Sequence, residues 1–168
     1  ACTRQIWLQR VPKLPWVSAG DASRDAFTNY YRLVVSRGLG PSGERTLQPA
    51  IAAKGITHID GVFSATFKSD EVLVRTAGLW SSLLFDYFVR STGREDFRND
   101  LAKRMGMLDF QRLSESLLVR VLALNTLSQS YAELWSGCWN PNFRSQNWSC
   151  ERVAINVDYF GELSEIWQ

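Results

Sequence analysis

The chain is poor in the residue types from which most active sites are assembled. Its 168 residues hold one histidine, His58, and three cysteines, Cys2, Cys138 and Cys150, with no Cys-x-x-Cys pair. A single histidine removes His-based metal clusters, and any Ser-His-Asp or Cys-His relay would depend on that one residue. An odd set of cysteines argues against a disulfide framework and a zinc knuckle, and points to a reducing compartment. One pairing, Cys138 with Cys150, stays open. No Gly-x-Gly-x-x-Gly, no Gly-x-x-x-x-Gly-Lys-Ser/Thr and no His-Glu-x-x-His occurs. Gly38-Leu39-Gly40-Pro41-Ser42-Gly43 is rich in glycine. It lacks the lysine of a phosphate loop, however, and leads into an extended segment instead of the helix N-terminus that would hold the anion. No run of about 18 apolar residues exists, which excludes a membrane-spanning helix. The opening Ala1-Cys2-Thr3-Arg4-Gln5 has no initiating Met and no charged-then-apolar layout of a signal peptide. Processing or excision from a longer chain is therefore expected, together with a cytoplasmic location.

What is present is ordinary globular material, 45% hydrophobic and 21% charged, with seven tryptophans to supply core and interface area. The net charge of +2 is unevenly placed: residues 1–54 hold eight Lys/Arg against three acids. Of the 19 basic residues 15 are arginine, whose planar fork suits phosphates and guanine edges. A solvated basic face is the plain reading of such a segment.

The hydrophobic period changes midway. Gln5–Val11 and Tyr30–Ser36 read as short strands, the second alternating Tyr31, Leu33 and Val35 against Arg32, Val34 and Ser36. The glycine-rich segment is a loop, and Glu44–Ala53 resumes an extended pattern in which Pro49 predicts an edge strand or a bulge. Ile56–Phe67 is extended, broken by the turn pair Asp60-Gly61. Asp70 then predicts an N-cap, and Glu71–Ser91 a buried helix ended by Thr92-Gly93. A short helix follows near Phe97–Met105. Ser114–Trp135 predicts one long helix of roughly 33 Å at ~1.5 Å per residue. The expected class is α+β, with short antiparallel strands in the first half packed on helices of the second. Residues 1–110 form the main unit, and 111–168 add the long helix and an aromatic tail packed on it.

No catalytic constellation emerges. Asp86 lies inside the hydrophobic helix, where an unpaired charge is costly, so it is expected to cap or to pair with an arginine such as Arg90. Asn140-Pro141-Asn142-Phe143 is near the Asn-Pro-Pro-Tyr/Phe element of amino-methylating DNA methyltransferases, but its third residue differs and a plain turn explains it.

Two segments, with the later Arg120–Trp135, carry a resemblance. Gly43-Glu44-Arg45-Thr46-Leu47-Gln48-Pro49-Ala50-Ile51 is followed, after His58-Ile59-Asp60-Gly61, by Ala77-Gly78-Leu79-Trp80-Ser81-Ser82-Leu83-Leu84-Phe85-Asp86-Tyr87-Phe88-Val89-Arg90. Their order and spacing resemble the C-terminal specificity region of large N6-adenine DNA methyltransferases of restriction-modification and related phage-defence systems. In that family a Glu-Arg-Thr-Leu strand precedes a variable stretch and a helix carrying Gly-Leu, Ser, Asp and Arg. The match covers about residues 30–136. Gln48 stands where the family commonly has Ile, and Met105-Gly106-Met107-Leu108 replaces a Leu-Pro-Leu-Pro-like segment.

The resemblance implies a target-recognition domain for double-stranded DNA. It would work with a methyltransferase catalytic domain that binds S-adenosylmethionine, while this chain holds no cofactor and no catalytic residue of its own. It implies DNA contacts from Arg32, from Arg37, Ser42 and Arg45 around the glycine loop, and from Lys54 and His58 around the next turn. For Arg45, a salt bridge with Glu44 or Asp60 that orders the strands is the competing expectation. Two other classes remain. One is a protein-interaction domain using the long helix with Trp135, Trp139, Trp148 and Trp167; the other is a hydrolase using His58. Arg37, Arg45, Lys54 and His58 converging on one face would favour DNA, and an exposed Trp patch would favour a protein partner.

Overall fold

A computed structural model describes residue 14 and residues 26–40, 42–106 and 114–146. The alternation over 31–36 produces strand β1 (Arg32–Ser36), whose Leu33 and Val35 are buried on the helix side. β1 is the centre of a three-stranded antiparallel sheet, ordered β2-β1-β3, with β2 at Pro49–Ala52 and β3 at Val62–Thr66. Arg32 pairs with Ala52 on one side and with Thr66 on the other. Pro49 sits on an edge strand, as its missing N–H demands. The outer edge of β2 is closed by side chains: Ile51 N donates to Asn125 Oδ1 (3.2 Å) and Ile51 O accepts from Tyr131 Oη (2.9 Å). Edge groups satisfied in this way cannot template another strand.

The extended run expected over Ile56–Phe67 is only half a strand. Residues 53–61 form a connection that starts beside Arg32, at the end of β2, and arrives beside Ser36, at the start of β3. It therefore travels the length of β1. The expected strand Gln5–Val11 lies outside the described residues.

The second half is helical, and the α+β class is as expected. The helices are α1 (Asp70–Trp80), α2 (Leu83–Ser91), α3 (Asn99–Arg104), α4 (Ser114–Asn125) and α5 (Ala132–Cys138). Two helices expected to be continuous are broken. Glu71–Ser91 bends by 66° between α1 and α2. There Ser82 becomes an N-cap that accepts from Phe85 N, and Ser69 occupies the N-cap position of α1 in place of Asp70. Ser114–Trp135 ends as a helix at Asn125 and resumes at Ala132 after a 3-10 turn, Gln129–Tyr131. The cause is local. Asn125 Nδ2 and Thr126 Oγ1 turn back onto the carbonyls of Val121 and Leu122 at 2.9 and 2.7 Å, competing with the helix ladder.

One hydrophobic core draws on the sheet and on every helix, with Leu33, Leu73, Leu101, Leu122, Leu134 and Phe97 fully buried. α1 and α4 cross closely at Gly78, where an added Cβ would stand 2.6 Å from Val121 Cγ2 and 2.9 Å from Leu117 Cδ1. Asn140-Pro141-Asn142-Phe143 opens a 3-10 turn in which Asn140 Oδ1 accepts from Asn142 N, and Phe143 is fully buried. A ring so placed serves the core and is closed to a base. Among the described residues no single helix is long and apolar enough to cross a membrane.

Candidate functional site

The two segments that carry the family resemblance meet in space. Asp86 on α2 accepts from the backbone N–H of Thr46 and of Leu47, at 2.8 and 2.7 Å. Burial pushes its carboxyl upward. The two amides, with the charges of Arg45 and Arg90, outweigh that and hold it below the usual aspartate range. Arg90, one turn later, donates to Gly43 O (2.8 Å), Glu44 O (3.2 Å) and Thr46 Oγ1 (3.1 Å). Arg45 completes the clasp. It donates to Ser81 O (2.7 Å) and Ser82 O (3.3 Å) at the α1–α2 break, and its Nε lies 3.5 Å from Asp86 Oδ1. The ordering role weighed for Arg45 is thus present, but with Asp86, not with Glu44 or Asp60. Asp86 pairs with an arginine as expected, that arginine being Arg45, and accepts two amides besides.

The connection over 53–61 is built differently. Residues 54–61 are all exposed, yet their backbone is anchored along its length. Gly55, with φ 80°, donates to Thr28 O at 2.7 Å. Ile56 O accepts from Arg32 Nη2, and Asp60 O accepts from Arg37 Nη1 at 2.9 Å. The Arg37 amide donates to Gly61 O at 3.0 Å. An exposed segment with a fixed backbone presents its side chains in one arrangement, which lowers the ordering cost of binding.

The six residues singled out from sequence are distributed over this frame. Arg32 is fully buried, its guanidinium 4.6 Å from the Phe27 ring and 3.4 Å from Ser64 Oγ. Burial alone pulls its pKa below the usual arginine value. Arg37 pairs with Asp60, and Asp96 Oδ2 lies 3.6 Å away; the Asp60 contact holds the guanidinium above its ordinary value. Lys54 pairs with Glu133 and lies 4.9 Å from the Tyr31 ring. Ser42 is exposed in the glycine loop. His58 is exposed, its Nδ1 3.0 Å from Ile59 O and its ring 6.4 Å from that of Phe27.

These residues are spread over both ends of the sheet. Arg37 follows the C-terminal end of β1, whereas Lys54 lies beyond the other end, two residues past Ala52. Nor do the described residues carry an exposed tryptophan patch. Trp80 and Trp135 are buried and Trp139 is half-buried, while Trp148 and Trp167 lie outside the described residues.

The structure adds two residues that sequence reasoning passed over. Lys68 stands two residues past Thr66 as Lys54 stands two past Ala52, and both strand ends pair with Arg32. The two lysines therefore flank the same end of the sheet. Counting charge over residues 1–54 hid this, because Lys68 lies outside that stretch. The other is Ile59, 84% exposed in the anchored connection with Ile56 at 48% beside it. Its neighbour Asp60-Gly61, a turn pair, was the only sequence signal that it would project.

Among the described residues no group of three or more His, Cys, Asp or Glu could hold a metal ion. Burial, with Asp70 and Glu71 near, pushes the Cys138 thiol up to about 12, which leaves little thiolate at neutral pH. No protein-family model, no curated protein and no solved structure matches the chain.

Proposed function

We propose that this chain is a DNA-recognition domain that positions and reads duplex DNA for an adenine-specific DNA methyltransferase of a restriction-modification or phage-defence system. One observation supports the reading above the others: the two resembling segments interlock through Asp86, Arg90 and Arg45, and so behave as a framework that sets the neighbouring connection. That connection, 54–61, lies between the two segments, where the resembled family has a variable stretch, and here it is exposed and held by its backbone. Framework arginines and a presented loop divide the work between order and readout. On this reading Lys54 and Lys68 face phosphates at one end of the sheet and His58 faces the duplex from the loop. Base flipping and methyl transfer from S-adenosylmethionine belong to the catalytic partner domain.

The test is fluorescence anisotropy of the 168-residue chain with a pool of labelled duplexes randomised at the centre, across a range of salt. The expected result is binding whose log affinity falls linearly with log salt, with a slope of roughly −2 to −4 for a few neutralised phosphates. No binding at low salt, or binding indifferent to salt, overturns the proposal.

A second reading, a protein-interaction domain, is favoured by a different feature than the tryptophans. α2 exposes Leu83 (73%), Leu84 (63%) and Tyr87 (71%). Apolar side chains grouped on one helix mark contact surfaces. Leu83→Glu is expected to abolish such an association in sedimentation velocity and to leave duplex binding intact.

A further inference from the structure

We infer that Ile59 is an apolar wedge that enters the base stack of duplex DNA, with Arg32 and Arg37 as the positioning residues that hold it out; this rests on the DNA-recognition reading. The observation is an exposed apolar side chain on a backbone that is held in place. A β-branched apolar side chain stands 84% exposed while both flanks of its segment are tied down by arginine. A loop free to rearrange would turn such a residue inward. This one is prevented, because Ile56 O is claimed by the buried Arg32 and Asp60 O and Gly61 O by Arg37. The Val62 amide also donates back to Ile59 O at 3.3 Å, closing a tight turn directly after the tip.

The kind of partner follows from size and charge. A tip of two isoleucines covers far less than the ~1,200 Å² that a specific protein interface buries. It matches the single apolar side chains that minor-groove and architectural proteins insert between base steps. The only acid of the loop, Asp60, is exposed but pairs with Arg37, which offsets part of its repulsion of a phosphate backbone. His58, adjacent and exposed, supplies a ring nitrogen at the groove edge.

The experiment uses the whole 168-residue chain and the tightest duplex recovered from a randomised pool, resynthesised with 2-aminopurine at each adenine in turn. Wild type is expected to raise the fluorescence of at least one position severalfold, reporting an unstacked step. Ile59→Ser is expected to lose that rise and to bind about tenfold more weakly, with its salt slope and thermal midpoint unchanged. Ile59→Leu is expected to keep the rise. If wild type binds and Ile59→Ser keeps both signal and affinity, the wedge is overturned while the DNA reading stands. If wild type binds no duplex from the pool, the DNA reading falls and the wedge with it. If Ile59→Ser spares duplex binding but abolishes self-association in sedimentation, the tip is a protein contact and the wedge is overturned.

Discussion

Asp86 and Arg90, one helical turn apart on α2, close on the same five-residue stretch from opposite chemical sides. Asp86 receives the amides of Thr46 and Leu47, and Arg90 donates to the carbonyls of Gly43 and Glu44. The stretch 43–47 thus has donors and acceptors answered by two side chains of one helix. A peptide segment with no sheet ladder of its own is ordered in this way. Asp86→Ala leaves two buried amides without an acceptor and is expected to cost about 3 kcal/mol in urea unfolding. A cost below about 1 kcal/mol would show that the clasp does not hold the loop.

The same carboxylate sets a pH dependence. Its folded-state pKa lies below the unfolded value of about 3.9. Its contribution is therefore complete above that value and is lost as pH falls through the lower, folded-state pKa. Asp86→Asn, which keeps one acceptor and removes the charge, is expected to flatten the acid limb of stability against pH below about pH 4. An unchanged acid limb in chemical denaturation from pH 2 to 6 would assign the dependence to other carboxylates.

Much of the frame was legible because it obeys local rules. The alternation of Tyr31, Leu33 and Val35, the edge proline at 49 and the glycine stop at 93 each report a backbone preference that tertiary packing leaves alone. The break between α1 and α2 was hidden because its partner is not local, and the break after Asn125 because its local side-chain bonds leave the apolar stripe unchanged. Ser81 O and Ser82 O are taken by Arg45, which lies 36 and 37 positions away in the chain. Asn125, the last residue of α4, also accepts from Ile51 N, at a separation of 74. An apolar stripe looks continuous through both breaks, since the stripe records burial and not the ladder. The structural partners of the basic residues were hidden for a related reason. Composition marks a segment as positive but does not show that Arg45 has a helix break to hold, or that Arg32 has a loop to anchor.

Gly78 makes a separate prediction about the α1–α4 crossing. Ala is favoured over Gly by about 1 kcal/mol in a helix interior. Here the added methyl would stand 2.6 Å from Val121 and 2.9 Å from Leu117. Overpacking of this kind typically costs 1–3 kcal/mol, so Gly78→Ala is expected to destabilise by about 1 kcal/mol net. Paired with Val121→Ala it is expected to cost less than the two single changes summed, because each relieves the other. Additivity within error in the four-way cycle would show that the helices do not meet at this point.

Cys138 is expected to be nearly inert in the folded chain. With its thiol pushed up to about 12, the thiolate fraction at pH 8 is on the order of a thousandfold below that of an unfolded cysteine near 8.5. Iodoacetamide labelling at pH 8, read by peptide mass spectrometry, is expected to be at least about a hundredfold slower at Cys138 in buffer than in urea. Equal rates would mean that the pocket around it opens readily.

Arg32 separates global stability from local order. Its guanidinium is fully buried, and among the described residues no carboxylate pairs with it. A buried charge without a counter-charge is expensive, and replacing it with an apolar residue of similar length is often neutral for folding. Arg32→Met is therefore expected to change the unfolding free energy by less than about 1 kcal/mol. The connection above it should respond in the opposite sense, because Ile56 O loses its donor and the start of 54–61 comes free. Limited trypsinolysis after Lys54 reports that directly, since cleavage of a folded chain follows the population of its local openings. At least about tenfold faster cleavage is expected in Arg32→Met than in wild type, at matched global stability. Unchanged cleavage would show that Thr28 and Arg37 suffice to hold the loop, and that the burial of Arg32 serves the sheet alone.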